Sequence, residues 1–405
     1  MPLILEHGII HLPDELLALT LEMGHHLRYD RFALSMSHVS RRFRQVALRT
    51  PLLWTRFSGD YSDDQIQAFI SRSGHLNLEI SSHMYGPQML SYLLPLSSRW
   101  SSIPRIDENT ESWIDSVGVS NLPRLKSSNI DSSWDIELPM HRMPMLSQIE
   151  GFGLYFTVPV PYRSQLTSVK IRFDRSRELE VGKFARAIYQ LSNLRDLSLD
   201  ISNPGDWDDK HPLNPMEILH PHSVPIESLQ ISIWGITSLK RIQPLYDCLG
   251  YLAPSSVQIS LSMITSREHV NPFLCNSRNQ LFPYGTTIRL RIEQACDICL
   301  ILAQLLWRCS VVRSVHLEVP TALFRIDAWP SSVWLKTSSI SLRHLRLQNC
   351  EELREEDVEG LAKYLLSCHE EIGVQSLQIV ACKKIHMEPF LNLDEEIAKK
   401  ITWSF

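Results

Sequence analysis

Cysteine and histidine are the residue types in this chain whose spacing could support chemistry. Cys296-Asp-Ile-Cys299 is a CxxC pair with Cys309 nearby. Two thiolates at that spacing are half of a structural zinc site, which takes four ligands. No second pair stands at a zinc-site spacing. The CxxC falls on an apolar helical stretch, Cys296–Cys309, so small buried thiols are the fitting reading. The 16 His cluster only as His25-His26 and as His211, His220 and His222. Both groups read as loops among Gly, Pro and Asp, without an HExxH helix or a carboxylate at fixed offset. Gly151-Phe-Gly153 lacks the third Gly and the following helix of a dinucleotide fingerprint. No P-loop, GxSxG elbow or kinase signature set occurs. With 15 Gly in 405 residues, the chain is poor in the turns that cradle phosphate. The expectation is a protein that is not an enzyme and holds no metal and no cofactor.

Composition narrows the classes further. Hydrophobic residues make up 44% of the chain, enough for a large core. The net charge of −5 and pI of about 6.3 argue against a nucleic-acid partner, which usually meets a basic domain. The start, MPLILEHGIIHLPDE, lacks the basic n-region of a signal peptide. The longest apolar run, Ile298–Trp307, is about half of what a bilayer span needs, so no membrane partner is expected. The eight Cys are too sparse for a disulfide scaffold, and no Asn-x-Ser/Thr sequon is present. An intracellular location, cytoplasm and/or nucleus, is expected.

The elements that must position any functional surface begin near Leu12. Pro13 suits a first helical position, where its missing N–H costs nothing, and Asp14 and Glu15 favour the helix dipole. Leu12, Leu16, Leu17 and Leu21 recur at helical spacing. Gly24 is expected to end that helix. Asp30 is expected to cap a second one bearing Phe32, Ala33 and Met36. Ser40 caps a third, with Phe43, Val46 and Ala47 inward, and Thr50-Pro51 starts a turn that delivers Trp54. From His25 to Arg56 there are seven Arg and a single acid, Asp30. That basic face suits an acidic partner.

Three blocks carry a resemblance. They are Leu-Pro-x-Glu-Leu (Leu12, Pro13, Glu15, Leu16), Val-Ser-Arg-Arg-Phe (Val39 to Phe43) and Thr-Pro-x-Leu-Trp (Thr50, Pro51, Leu53, Trp54). In this order they resemble an F-box. The following Phe69–Ile80 is similar to the link found in the F-box-like family of mushroom-forming fungi, with His75-Leu76-Asn77-Leu78 in place of its Pro-Leu. The resemblance implies docking to a Skp-type adaptor, and through it to a cullin, by Leu12, Pro13, Glu15, Leu16, Leu17 and Val39. Phe43 and Trp54 would hold the bundle together. The sequence departs from the family at Gly24–Tyr29 (GHHLRY), read as a polar His-rich loop. A helical cap on the downstream domain is the other reading of these helices.

The rest of the chain repeats one phrase. Leu342–Cys350 (LRHLRLQNC) follows the leucine-rich-repeat pattern L-x-x-L-x-L-x-x-C. Copies stand at Leu166–Phe173, Leu194–Ile201, Ile226–Ile233, Val312–Val319 and Val374–Cys382. Weaker ones stand at Leu122–Ile130, Leu146–Leu154, Val257–Leu261 and Thr287–Ile292. Their apolar residues alternate, the mark of strands with one buried face. The centres 125, 149, 169, 197, 229, 259, 290, 315, 345 and 377 step by about 28 residues, a leucine-rich-repeat spacing. Leu179–Leu191, Cys296–Cys309 and Val358–Leu366 read as helices between strands. Alternating strands and helices imply a parallel sheet with outer helices.

The fold class expected is therefore α+β overall. A small all-α F-box-like bundle (8–57) precedes a linker with first irregular repeats (58–120). An α/β leucine-rich-repeat-like solenoid (121–395) and a C-terminal tail (396–405) follow. The exposed strand face is the usual ligand surface of such a repeat. Its basic residues Lys170, Arg172, Arg289, Arg291 and Arg346 are candidates for holding an acidic or phosphorylated protein target. The long insertions Asn203–Pro225 and Pro320–Ser341 are candidates for surface decoration or binding. The function expected is that of a substrate-recognition subunit of an SCF-type cullin–RING E3 ubiquitin ligase. The alternative is a non-ligase repeat scaffold.

Overall fold

A computed structural model describes residues 12–27, 31–80, 87–106, 121–130, 143–152, 163–173, 181–203, 220–235, 239–263, 271–324, 341–366, 374–385 and 395–404. The chain is mixed α/β and is built on a 14-stranded sheet in sequential strand order. It divides into two compact units. The first is Met1–Ser132 with Ile136–Gly151 and Val158–Leu166, and the second is the remainder.

In the first unit, α1 (Asp14–His26), α2 (Phe32–Ser37) and α3 (Arg41–Leu48) lead into a 3-10 turn, Pro51–Trp54. Leu17, Leu21, Ala33, Val46, Ala47 and Leu53 form the inner face of these helices. Trp54 is fully buried, and its indole N–H donates to the Ala47 carbonyl at 2.8 Å. Ser40 caps α3 by accepting from the Phe43 N–H, as the sequence suggests. Two expectations fail here. Gly24 does not end α1, which continues to His26. Its missing Cβ instead admits the ring of Phe32. Residue 31, not Asp30, stands at the cap position of α2, with Arg31 left-handed at φ 62° and no side-chain cap; Asp30 lies outside the described residues.

The sheet starts inside the segment expected to be purely helical. β1 (Arg56–Phe57) pairs in parallel with β2 (Leu78–Ile80). Between them, α4 (Asp63–Arg72) is set by a capping box of Ser62 and Gln65. Phe69 of α4 meets Trp54 edge-on at 4.9 Å and also touches Phe57 and Tyr61, so one aromatic cluster joins helices and strands. α5 (Pro87–Leu93), β3 (Trp100–Ile106), β4 (Ser127–Ile130) and β5 (Gln148–Phe152) follow. Leu125, expected at a strand centre, precedes β4. Ile149 pairs with Ser128.

The second unit carries the regular repeats. Its main strands are β6 (Ser168–Phe173), β7 (Asp196–Ser202), β8 (Val224–Trp234), β9 (Leu252–Ser262), β10 (Thr287–Ile292), β12 (Ser314–Glu318), β14 (His344–Gln348), β15 (Ser376–Val380) and β16 (Ile401–Ser404). Each described pairing between them is parallel. Register aligns Val169, Leu197, Leu229, Val257, Ile288, Val315, Leu345, Leu377 and Ile401 in one ladder. The expected centres 259 and 290 thus lie one inward position further along the strand than their neighbours. Because every second residue is apolar, both alignments satisfy the burial pattern.

Helices Val181–Tyr189, Ile298–Arg308 and Glu355–Leu366 stand where the sequence places them. Phe184 meets inward-facing Phe173 at 6.0 Å, which puts its helix on the buried side of the strands. Helix Leu239–Leu249 was not foreseen and contains Pro244. The segment expected as a tail carries a short helix, Glu395–Ala398, and the edge strand β16. A separate pair joins β11 (Cys296–Asp297) to β13 (Ala322–Leu323). Residues 204–219 and 325–340 of the two insertions lie outside the described residues.

Candidate functional site

Two surfaces emerge, one in each unit. The first is built on α1. Its amphipathic pattern is divided so that Leu17 and Leu21 face inward, while Leu16, Leu19 and Met23 recur at steps of three and four and share the opposite stripe. Leu16, Leu19, Met23 and Leu27 are 49%, 53%, 65% and 70% exposed, and Val39, after α2, is 57% exposed. Pro13 and Glu15 are exposed as well, and Leu12 is half-buried. Leu17 is fully buried, so it is corrected from a contact residue to a core residue that fixes the helix. Leu19, Met23 and Leu27 were missed by sequence reasoning. Their spacing from Leu16 was the available signal.

Arg42 of α3 fixes the start of this surface. Its Nε donates to Asp14 Oδ1 at 2.9 Å, and its Nη2 donates to the Leu12 carbonyl. The Leu-Pro corner is therefore clamped by a residue of the central motif block. Arg31, Arg41, Arg44 and Arg49 of the same helical segment are exposed. Arg56, the last of the basic run, is buried instead. It pairs with Glu79 at 2.9 Å and donates to the His25 carbonyl at 2.9 Å.

His25 and His26 are helical, which corrects the expected polar loop at those positions. His25 is buried, with Nε2 at 3.4 Å from Thr55 Oγ1. The Thr55 hydroxyl donates to the Leu52 carbonyl at 2.7 Å, so the imidazole must carry its proton on Nε2 to donate here. Burial and then the Arg56 guanidinium lower the His25 pKa to about 4, with Glu79 opposing and His26 adding a little. The ring is neutral at physiological pH.

The second surface is the outward face of the strands of the second unit. Lys170 and Arg172 stand on β6, opposite Ser198 and Asp200 of β7. Arg289 and Arg291 stand on β10, and Arg346 on β14. The five basic residues thus form two groups separated by β7, β8 and β9, roughly 19 Å at ordinary strand spacing. His316 of β12 lies between Arg289 and Arg346 and was not among the expected site residues.

Of the groups first considered for chemistry, Cys296, Cys299 and Cys309 are buried. Cys296 lies on β11 rather than on the helix, and Asp297 caps helix Ile298–Arg308 by accepting from the Leu300 N–H at 3.1 Å. Burial, with Asp297 adding to it, pushes the Cys296 thiol up to about 12. His222 stacks on Tyr284 at 3.5 Å, and its Nδ1 lies 3.2 Å from the Leu252 carbonyl. His211 lies outside the described residues. Among the described residues, no three His, Cys, Asp or Glu gather as metal ligands, and no helix is long and apolar enough to cross a membrane. No family model matches this chain, and no curated protein matches it.

Proposed function

We propose that this chain is the substrate-recognition subunit of an SCF-type cullin–RING ubiquitin ligase. Its N-terminal helices dock a Skp-type adaptor, and its repeat strands hold a protein target. The observation that carries the reading is the uncovered stripe of Leu16, Leu19, Met23 and Leu27 on α1, with Pro13 and Val39 exposed as well. Helices of a mere cap would turn such a stripe toward the strands. A contiguous exposed apolar patch rimmed by charge marks an interaction site. Each of these side chains gains about 1.5–3 kcal/mol if a partner fully buries it. The exposed arginines add attraction for an acidic partner.

In this role the chain contributes no catalytic group. It accelerates transfer by holding the target near a ubiquitin-loaded enzyme, which turns a bimolecular step into an effectively intramolecular one. The second reading, a cap without an adaptor, is favoured by the contact of Arg56 with both α1 and β2. Co-expression with a Skp-type adaptor separates the two. Wild type is expected to co-purify with the adaptor, and Leu16→Asp/Met23→Asp to lose it while keeping its melting temperature. A folded, monodisperse wild type that captures no adaptor overturns the ligase reading and leaves the cap.

A further inference from the structure

Three adjacent strands of the second unit bring cationic groups together. Register places Arg289, His316 and Arg346 side by side on one rung, and Arg291, Glu318 and Gln348 on the next. At ordinary strand spacing the outer two positions of a rung are about 10 Å apart, within reach of arginine side chains from both sides. Glu318 is the acid between them. It faces Arg291 at 3.8 Å and accepts from Asn349 Nδ2 at 3.0 Å. Among the described residues neither Arg289 nor Arg346 has an ion-pair partner. Arg346 Nε is moreover buried with no acceptor at all. A buried charged donor without an acceptor is costly, and a bound anion relieves that cost. His316 completes the floor, with Nε2 at 3.0 Å from Gln348 Oε1.

Beside this cluster the surface changes character. Arg291 also lines a cleft of about 430 Å³ together with Ser260, Ser262 and Glu293. Trp234 and Met263 lie on the same cleft with 44% and 71% of their surface exposed. The cleft is centred on β9, two strands from His316 and about three residues further along the strands, so roughly 14 Å separates the two subsites. An extended peptide covers that distance in about four residues.

We infer that this face binds a phosphorylated segment of a protein target, with the phosphoryl group on Arg289 and Arg346 and an apolar side chain about four residues away against Trp234 and Met263. The charge count favours phosphate over carboxylate. Two uncompensated guanidiniums match a dianion, and a phosphoryl group offers oxygens to both forks, whereas a single carboxylate fills one. The inference rests on the proposed use of the strand face for target recognition and names the chemistry it selects. Lys170 and Arg172 are too distant to share this anion.

The test uses the full chain and fluorescein-labelled ten-residue peptide pools, read by fluorescence anisotropy. Each pool fixes phosphoserine, serine or glutamate near the centre and leucine four residues to either side. The phosphoserine pools are expected to bind at least about tenfold tighter than the serine and glutamate pools. Arg289→Ala and Arg346→Ala should each remove most of that preference. Arg346→Lys, which keeps the charge but loses the Nε donor, should lower it several-fold. Lys399→Ala should leave it unchanged. Equal binding of all pools, no binding by a folded chain, or a preference that survives both alanine variants overturns the inference. A glutamate pool as tight as phosphoserine overturns the phosphoryl assignment. So does capture by phosphoinositide-containing vesicles without capture of any peptide. Adaptor capture is read on the same preparation. Loss of one activity with the other intact shows which of the two readings has failed.

Discussion

Single residues in this chain do work that their types alone do not announce. Gly235 follows β8 at φ 87°, and a Cβ there would run into the side chain of Asn203. Asn203 is itself left-handed after β7, and its N–H donates to the Trp234 carbonyl at 2.8 Å. Gly235→Ala is therefore expected to cost about 1–3 kcal/mol, read as a lower urea midpoint with an unchanged slope. His25 gives a pH signature. Its folded pKa of about 4 lies below the unfolded value of 6.5, so between those pH values the unfolded chain binds more protons. The stability tied to neutral His25 is present above pH 6.5 and is lost as pH falls toward 4. His25→Gln is expected to flatten the fall in melting temperature between pH 7 and pH 4. Parallel melting curves for the two proteins over that range would contradict the assignment. Neither property was legible in the sequence, because the partners of His25 lie thirty residues on, at Thr55 and Arg56. The pair His25-His26 by itself reads as a loop.

At the scale of elements, legibility follows burial. β6, β7 and β12 were readable because one face is dry and the other wet, which writes period-2 alternation into the residues. β16 was not, because it is four residues long and none of them is buried, so the alternation of Ile401 and Trp403 with Thr402 and Ser404 is too short and too shallow to stand out. Helix Leu239–Leu249 was hidden by Pro244, whose ring and missing N–H normally argue against a helix interior. The stripe on α1 was half-legible. Its heptad-like leucines were visible, but which faces the core depends on where α3 packs. Two substitutions one residue apart separate these faces. Leu17→Ala removes a fully buried side chain and is expected to cost about 2–5 kcal/mol. Leu16→Ala, on the exposed stripe, should stay within about 0.5 kcal/mol of wild type. Equal losses in chemical denaturation would mean that the stripe is covered.

For the molecule as a whole, the sequence yielded the parallel strand-and-helix architecture more readily than the sites. Repeats write the same signal many times, whereas a site is written once and assembled across strands. Arg289 and Arg346 are brought to the two sides of His316 by register, a relation that spacing along the chain does not express. The central claim concerns the other surface: that the exposed stripe of α1 and the segment around Val39 engage a Skp-type adaptor. Hydrogen–deuterium exchange of the chain with and without the adaptor tests it most directly. The account predicts slowed exchange confined to peptides spanning residues 12–27 and 38–44. Unchanged exchange there, or protection found only on the strands of the second unit, would contradict it.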